Sequence, residues 1–269
     1  MKYENGLIKI WLAFIGFIAL FLINFGLKTN ISYTAMMWLI LDVCVLIFSI
    51  LMLIRNRIPK RKQILISLMF GLLMFVSYQE ISLSSARVFL TTFVCSLAMF
   101  SIFNIYENNS VKILKLTTLK SILVSIILGF IVGTALGIIN IFLNSGTPNL
   151  SIKLAYFLTA LSPAIYEEIA FRTFIYALCL YMLKGKINTN IEKFTCYFMM
   201  IIPHVMIHTP EQFINYGFVS GIIGILILAL LFGLPFAILQ RKRDIISAMI
   251  AHGIVDIIRF CFFGIAKLS

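Results

Sequence analysis

Apolar residues fall in nine runs, at about 7–27, 33–54, 63–79, 88–105, 119–143, 153–183, 194–209, 217–239 and 245–264, parted by short segments that collect most of the Lys, Arg, Asn and Pro. A hydrocarbon core of ~30 Å takes about 20 apolar residues to cross as helix, and backbone in lipid must satisfy its own hydrogen bonds. The pattern therefore predicts an all-α, polytopic transmembrane helix bundle of about nine spans, with eight as the alternative if a weak run such as 63–79 is lost. The run 7–27 is too long for a signal-peptide core and lacks a small-residue cleavage site, so it reads as a retained first span.

Composition agrees with this reading. The chain has 269 residues, of which 61% are hydrophobic and 12% charged. That is about half the ~25% charged fraction of a soluble domain. The net charge of +12 does not indicate nucleic acid, because the basic residues lie between spans and no basic face with interleaved aromatics occurs. If the Arg55–Lys62 connection is cytoplasmic, sixteen of the 22 basic residues lie on that side, including Lys2, Lys9, Lys112, Lys115, Lys120, Lys184, Lys186, Lys193, Arg241, Lys242 and Arg243. Four lie opposite, Lys28, Arg87, Lys153 and Lys267. This skew places the N-terminus in the cytoplasm and the chain in a cell membrane. Abundant Ile, Phe, Lys and Asn point to an AT-rich genome, hence a bacterial cytoplasmic membrane. The five cysteines sit inside apolar runs without paired spacing and read as small packed hydrophobes.

No linker or repeat divides the chain, but its chemistry is uneven. Residues 1–150 form an N-terminal part of about five spans, and 151–269 form a four-span core holding every histidine. Within the sixth run stand Glu167, Glu168 and Arg172. An ionisable group inside a span costs at least ~2.5 kcal/mol on the most lenient scale and marks function by default. Glu168 and Arg172, four apart with the acid first, can pair on one helix face. That leaves Glu167, whose like-charged neighbour suits proton transfer better than structure.

His204 and His208 share a face of the seventh run, and His252 and Asp256 share a face of the ninth. With the Glu pair they are expected to converge on one site. Pro163 and Pro203, beside these residues, should kink or break their helices. Asp42, alone in the second run, reads as an interhelical hydrogen-bond partner, and Gly129, Gly133 and Gly137 as a face for close helix packing.

The stretch Glu167-Glu168-Ile169-Ala170-Phe171-Arg172-Thr173-Phe174-Ile175-Tyr176 resembles the first motif of the CPBP intramembrane proteases (CAAX proteases and bacteriocin-processing enzymes, or Abi family), Glu-Glu-x-x-x-Arg with an aromatic four residues on. Their third motif, His-x-x-x-Asn/Asp, is met by His252-Gly253-Ile254-Val255-Asp256. Their second, Phe-x-x-x-His, is met only at its histidine: Met200 stands four before His204, and His204 four before His208. Thr209-Pro210 favours His208, with His204 as alternative or helper. Thr173 stands where the family usually has Gly, and the resemblance spans about Lys153 to Ile265.

What the resemblance implies is an intramembrane endopeptidase cleaving a peptide or membrane-associated protein. Glu167, aided by Glu168, would deprotonate water; His208 would position or protonate; His252 and Asp256 would stabilise the oxyanion; Arg172 would orient the carboxylates. The setting would be peptide maturation, peptide signalling or bacteriocin self-immunity. A non-catalytic immunity or peptide-binding protein is the alternative. Members of the family have been described both as metalloproteases and as metal-free. No cofactor is favoured here; Zn²⁺, if held, would take Glu167, His204, His208 and His252. Expected partners are the substrate and the lipid bilayer.

Overall fold

The computed structural model describes residues 4–27, 30–144 and 146–265, with side chains from Gly6 onward. Lys2, Lys28 and Lys267, part of the charge skew, lie outside them. Among the described residues every regular element is helical. The first five runs become α1 (Glu4–Asn24), α2 (Tyr33–Arg55), α3 (Arg61–Tyr78), α4 (Leu83–Ile105) and α5 (Leu119–Leu143). The sixth is one rod in three pieces: α6 (Leu154–Thr159), a π-helical stretch (Ser162–Thr173) and α7 (Phe174–Met182). Then follow α8 (Asn190–Met206); a long rod from α9 (Pro210–Leu228) through π-helical turns and α10 (Leu234–Ile238) to Arg243; and α11 (Ile245–Phe263).

Caps fix where the helices begin. Ser32, Ser82, Thr118, Thr189 and Asp244 each accept a backbone N–H three residues on. At Ser82/Ser85 and Thr189/Glu192 the bond is returned by the later side chain, so α4 and α8 start about a turn before their apolar runs do. α8 runs through Pro203 and stops at Met206, so the expected break comes three residues late and leaves His208 in the turn to α9. Gly217 has φ +83°, which only glycine takes without strain, and bends α9 there.

The basic connections meet at one end of the bundle. Arg241 donates to the Asn109 carbonyl at 3.2 Å, Asn109 to the Gly185 carbonyl at 2.9 Å, and Ser101 to the Arg57 carbonyl at 2.6 Å. At the far end Asn149 and Ser151 donate to the carbonyls of Phe262 and Cys261, and Ser77 to that of Thr159. Among the described residues, seven helices are long and apolar enough to cross a membrane. The sixth and seventh runs are not among them. They too pass from one end to the other, but they carry the ionisable groups in shorter helical pieces.

The sixth run is the centre of the bundle. From Ala164 to Leu180 every residue is buried except Glu167. α2 and α4 pack on it from one side and α8 and α11 from others. The glycine face works as expected: a Cβ on Gly129 or Gly133 would stand 2.7 or 2.6 Å from the carbonyl oxygen of Ser247 or Ala251, so bare backbone lets α5 lie against α11.

Candidate active site

The π-helical stretch is what presents the two glutamates. Pro163 lacks an N–H and so cannot close an ordinary helical bond at the start, and at the end Phe174 N–H reaches back five residues to the Ile169 carbonyl. π-turns are rare and frequent at functional sites. The carbonyl of Glu168 is satisfied by side chains, the Thr173 hydroxyl at 2.6 Å and Gln240 Nε2 at 3.2 Å. Thr173, where the family usually has glycine, thus bonds the turn that carries the Glu pair.

The two carboxylates have opposite surroundings. Glu168, with no exposed surface, is saturated: Arg172 Nη1 and His252 Nδ1, the latter at 2.8 Å, donate to Oε1, and Gln240 Nε2 donates to Oε2 at 2.6 Å. Since a carboxylate flanked by arginine only accepts, Nδ1 of His252 carries a proton. Glu167 is partly open. Its Oε2 lies 2.8 Å from His204 Nε2, 3.7 Å from His252 Nε2 and 4.0 Å from His208 Nε2. The last two gaps exceed a hydrogen bond and suit a bridging water.

His204 is wired from both sides. Arg172 Nη2 lies 3.2 Å from its Nδ1, and a guanidinium can only donate, so Nδ1 accepts and Nε2 holds the proton given to Glu167. His208, in the turn after α8, has a side chain 40% exposed, and Trp38 of α2 sets its ring edge-on at 5.0 Å. On α11, Asp256 accepts from Arg259 at 3.0 Å and its other oxygen is 3.6 Å from His252 Nε2. Phe236 stacks on the His252 ring at 4.7 Å.

All seven residues named from the sequence meet here: Glu167, Glu168, Arg172, His204, His208, His252 and Asp256. Of the two candidates on the seventh run, His204 touches Glu167 directly and His208 stands across the gap. Gln240, which falls between the eighth and ninth apolar runs, is buried against Glu168. It lies next to three basic residues, and no feature of the sequence separates it from them. Trp38 and Phe236 are equally hidden, as aromatics among many in apolar runs.

Glu167, His204 and His208 offer ligand atoms within 4.8 Å of one another. A histidine that binds zinc aims a lone pair at the ion and donates its other N–H outward. His204 has the reverse arrangement, because its outward nitrogen faces a donor, Arg172. His204 as wired does not fit Zn²⁺, whereas His252, which donates Nδ1–H to Glu168 and turns Nε2 towards Glu167, has the arrangement of a ligand.

Residues 149–258 match the family profile described as Type II CAAX prenyl endopeptidase Rce1-like. Searches of curated proteins and of solved structures found no match. The matched segment holds every one of the seven residues, and the match is consistent with the CAAX protease, or CPBP, family of intramembrane endopeptidases.

Proposed function

We propose that this chain hydrolyses a peptide bond of a membrane-associated substrate, with Glu167 as general base. One observation carries the reading: between Ala164 and Leu180 of the central rod Glu167 alone is partly open, and its Oε2 is ringed by three imidazole nitrogens at 2.8, 3.7 and 4.0 Å. A water in that space is held by Glu167 and either His208 or His252. As its oxygen bonds to the substrate carbonyl carbon, its proton passes to Glu167. The C–N bond then breaks, and the leaving nitrogen takes a proton delivered from Glu167 or through His208 on the open side. His204 and Arg172 hold Glu167 in place, and Glu168 holds Arg172 and His252.

His252 and Asp256 face the same space from α11 and are read as the oxyanion side. A proton on Nε2 of His252, attracted by the carboxylates of Glu167 and Asp256, turns that nitrogen into a donor to the developing oxyanion. The rods are read as nine crossings with the basic end cytoplasmic, as the charge skew requires.

The test is a full-length protein in liposomes, given peptides ending in a CAAX sequence with and without a prenyl group, alongside Glu167→Gln. Mass spectrometry should find new termini with wild type only. Peptide retention without cleavage by both proteins would replace the enzyme by the binding reading.

A further inference from the structure

Asp42 sits in the middle of α2, 2% exposed, far outside the matched segment. Its carboxylate accepts the hydroxyl of Tyr166 on one oxygen and pairs with Arg87 of α4 at 2.6 Å on the other. Tyr166 is the residue before Glu167 on the π-helical stretch, and it is buried. One turn earlier on the same face of α2, Trp38 packs against Tyr166, Phe171, His204 and His208. α2 is thus a wall of the site, fastened at two points to the elements that carry its reactive groups. A third fastening lies at the end of the helix, where Glu211 of α9 accepts from the backbone N–H and the hydroxyl of Thr34.

A π-turn has weaker self-definition than an α-turn, since its bonds reach five residues and part of its backbone is satisfied by side chains. Its rotation about the rod axis must be set from outside. The Tyr166 hydroxyl is the polar contact that does so on the α2 side, with the guanidinium of Arg87 holding Asp42 in turn. We propose that Asp42 is a positioning residue for the reaction, acting through Tyr166 on the placement of Glu167. This role rests on Glu167 being the base.

Three single variants and one double variant in liposomes test it, the single ones being Tyr166→Phe, Asp42→Ala and Asp42→Asn. A displacement of ~1 Å at a reacting group costs about a hundredfold, so Tyr166→Phe and Asp42→Ala should lower kcat by about tenfold to a hundredfold with KM changed less than about threefold. Asp42→Asn keeps an oxygen for the hydroxyl and should restore most of the loss. The double variant Asp42→Ala/Tyr166→Phe should be no worse than either alone. A merely structural role would lower folded protein in the membrane and leave kcat per folded molecule intact, which overturns the proposal.

A second readout needs no substrate. Modification of Glu167 by a hydrophobic carbodiimide, followed by mass spectrometry, should change in rate in Tyr166→Phe and Asp42→Ala and return towards wild type in Asp42→Asn. If wild type cleaves none of the CAAX peptides, the endopeptidase reading fails while the carbodiimide rates still decide the positioning. Equal rates in all four proteins would overturn it.

Discussion

Arg172 sets the proton of His204: the guanidinium donates into Nδ1 at 3.2 Å, so the imidazole can give only its Nε2 proton, and it gives it to Glu167. The same guanidinium donates to Glu168, so one planar fork joins both glutamates, one directly and one through a ring. A lysine ammonium has the charge without the fork. Arg172→Lys should keep one of the two contacts, remain in the membrane at reduced abundance, and lose about tenfold to a hundredfold in kcat, since the misplacement of a reacting group is felt steeply. Wild-type kcat in Arg172→Lys would show that the tautomer of His204 does not matter.

The two glutamates should fail in different ways. Glu167→Gln removes the base and leaves its neighbours paired, so folded protein should be normal and the rate should fall by at least ~10²-fold. Glu168→Gln strands Arg172 in a fully buried place, and breaking a buried pair costs about 3–5 kcal/mol. Its first symptom should be loss of folded protein, read by membrane abundance and thermal unfolding. Equal abundance of the two variants would contradict the division of labour seen in their hydrogen bonds.

His204 and His208 separate by distance. His204→Ala removes the donor to Glu167 and the acceptor of Arg172, and should abolish measurable turnover. His208→Ala, at 4.0 Å and half in the open, should leave a fraction of it. Sequence alone favours His208 as the histidine of the second motif, on the Thr209-Pro210 that follows it, and the reverse outcome would support that choice. Abundance must be measured with both.

Chelation should have no effect on turnover. His204 is wired as a donor to Glu167, and a zinc site would require that proton to leave a ring whose other nitrogen already faces arginine. Protein treated with a strong chelator and passed through a desalting column should therefore cleave as before. Loss of activity that added Zn²⁺ restores would show that the histidine is rewired around an ion.

The convergence of the site was legible because charge in an apolar run is expensive, so seven residues drew attention by their cost alone. Helix spacing then placed them by faces. The glycine face of α5 and the hydrogen bond of Asp42 to a neighbouring helix followed from the same economy. What stayed hidden were neutral groups. Gln240 and Thr173 satisfy the Glu168 carbonyl, yet a Gln beside a basic run and a Thr in a span are unremarkable on their own. The π-geometry was hidden too, because a hydrogen bond that reaches back five residues instead of four leaves an apolar run apolar; Pro163 marked the place without giving the form. Helix ends slipped where capping boxes extended α4 and α8 beyond their hydrophobic stretches.

The close contact of α5 with α11 gives a test of how tightly the site is held. Gly133 faces the Ala251 carbonyl, and Ala251 is the residue before His252. A methyl group there would stand 2.6 Å from that oxygen, which is backbone and cannot rotate away, so α11 itself must shift. Overpacking of this kind costs about 1–3 kcal/mol. Because α11 carries His252 and Asp256, Gly133→Ala should lower kcat by at least about tenfold while the protein still reaches the membrane. Gly16 on α1 is the control, since a Cβ there meets nothing within 4 Å, and Gly16→Ala should be neutral or slightly stabilising. If Gly133→Ala unfolds no sooner and turns over as fast as Gly16→Ala, the α5 face sets only the outer packing and His252 is placed by Glu168 alone.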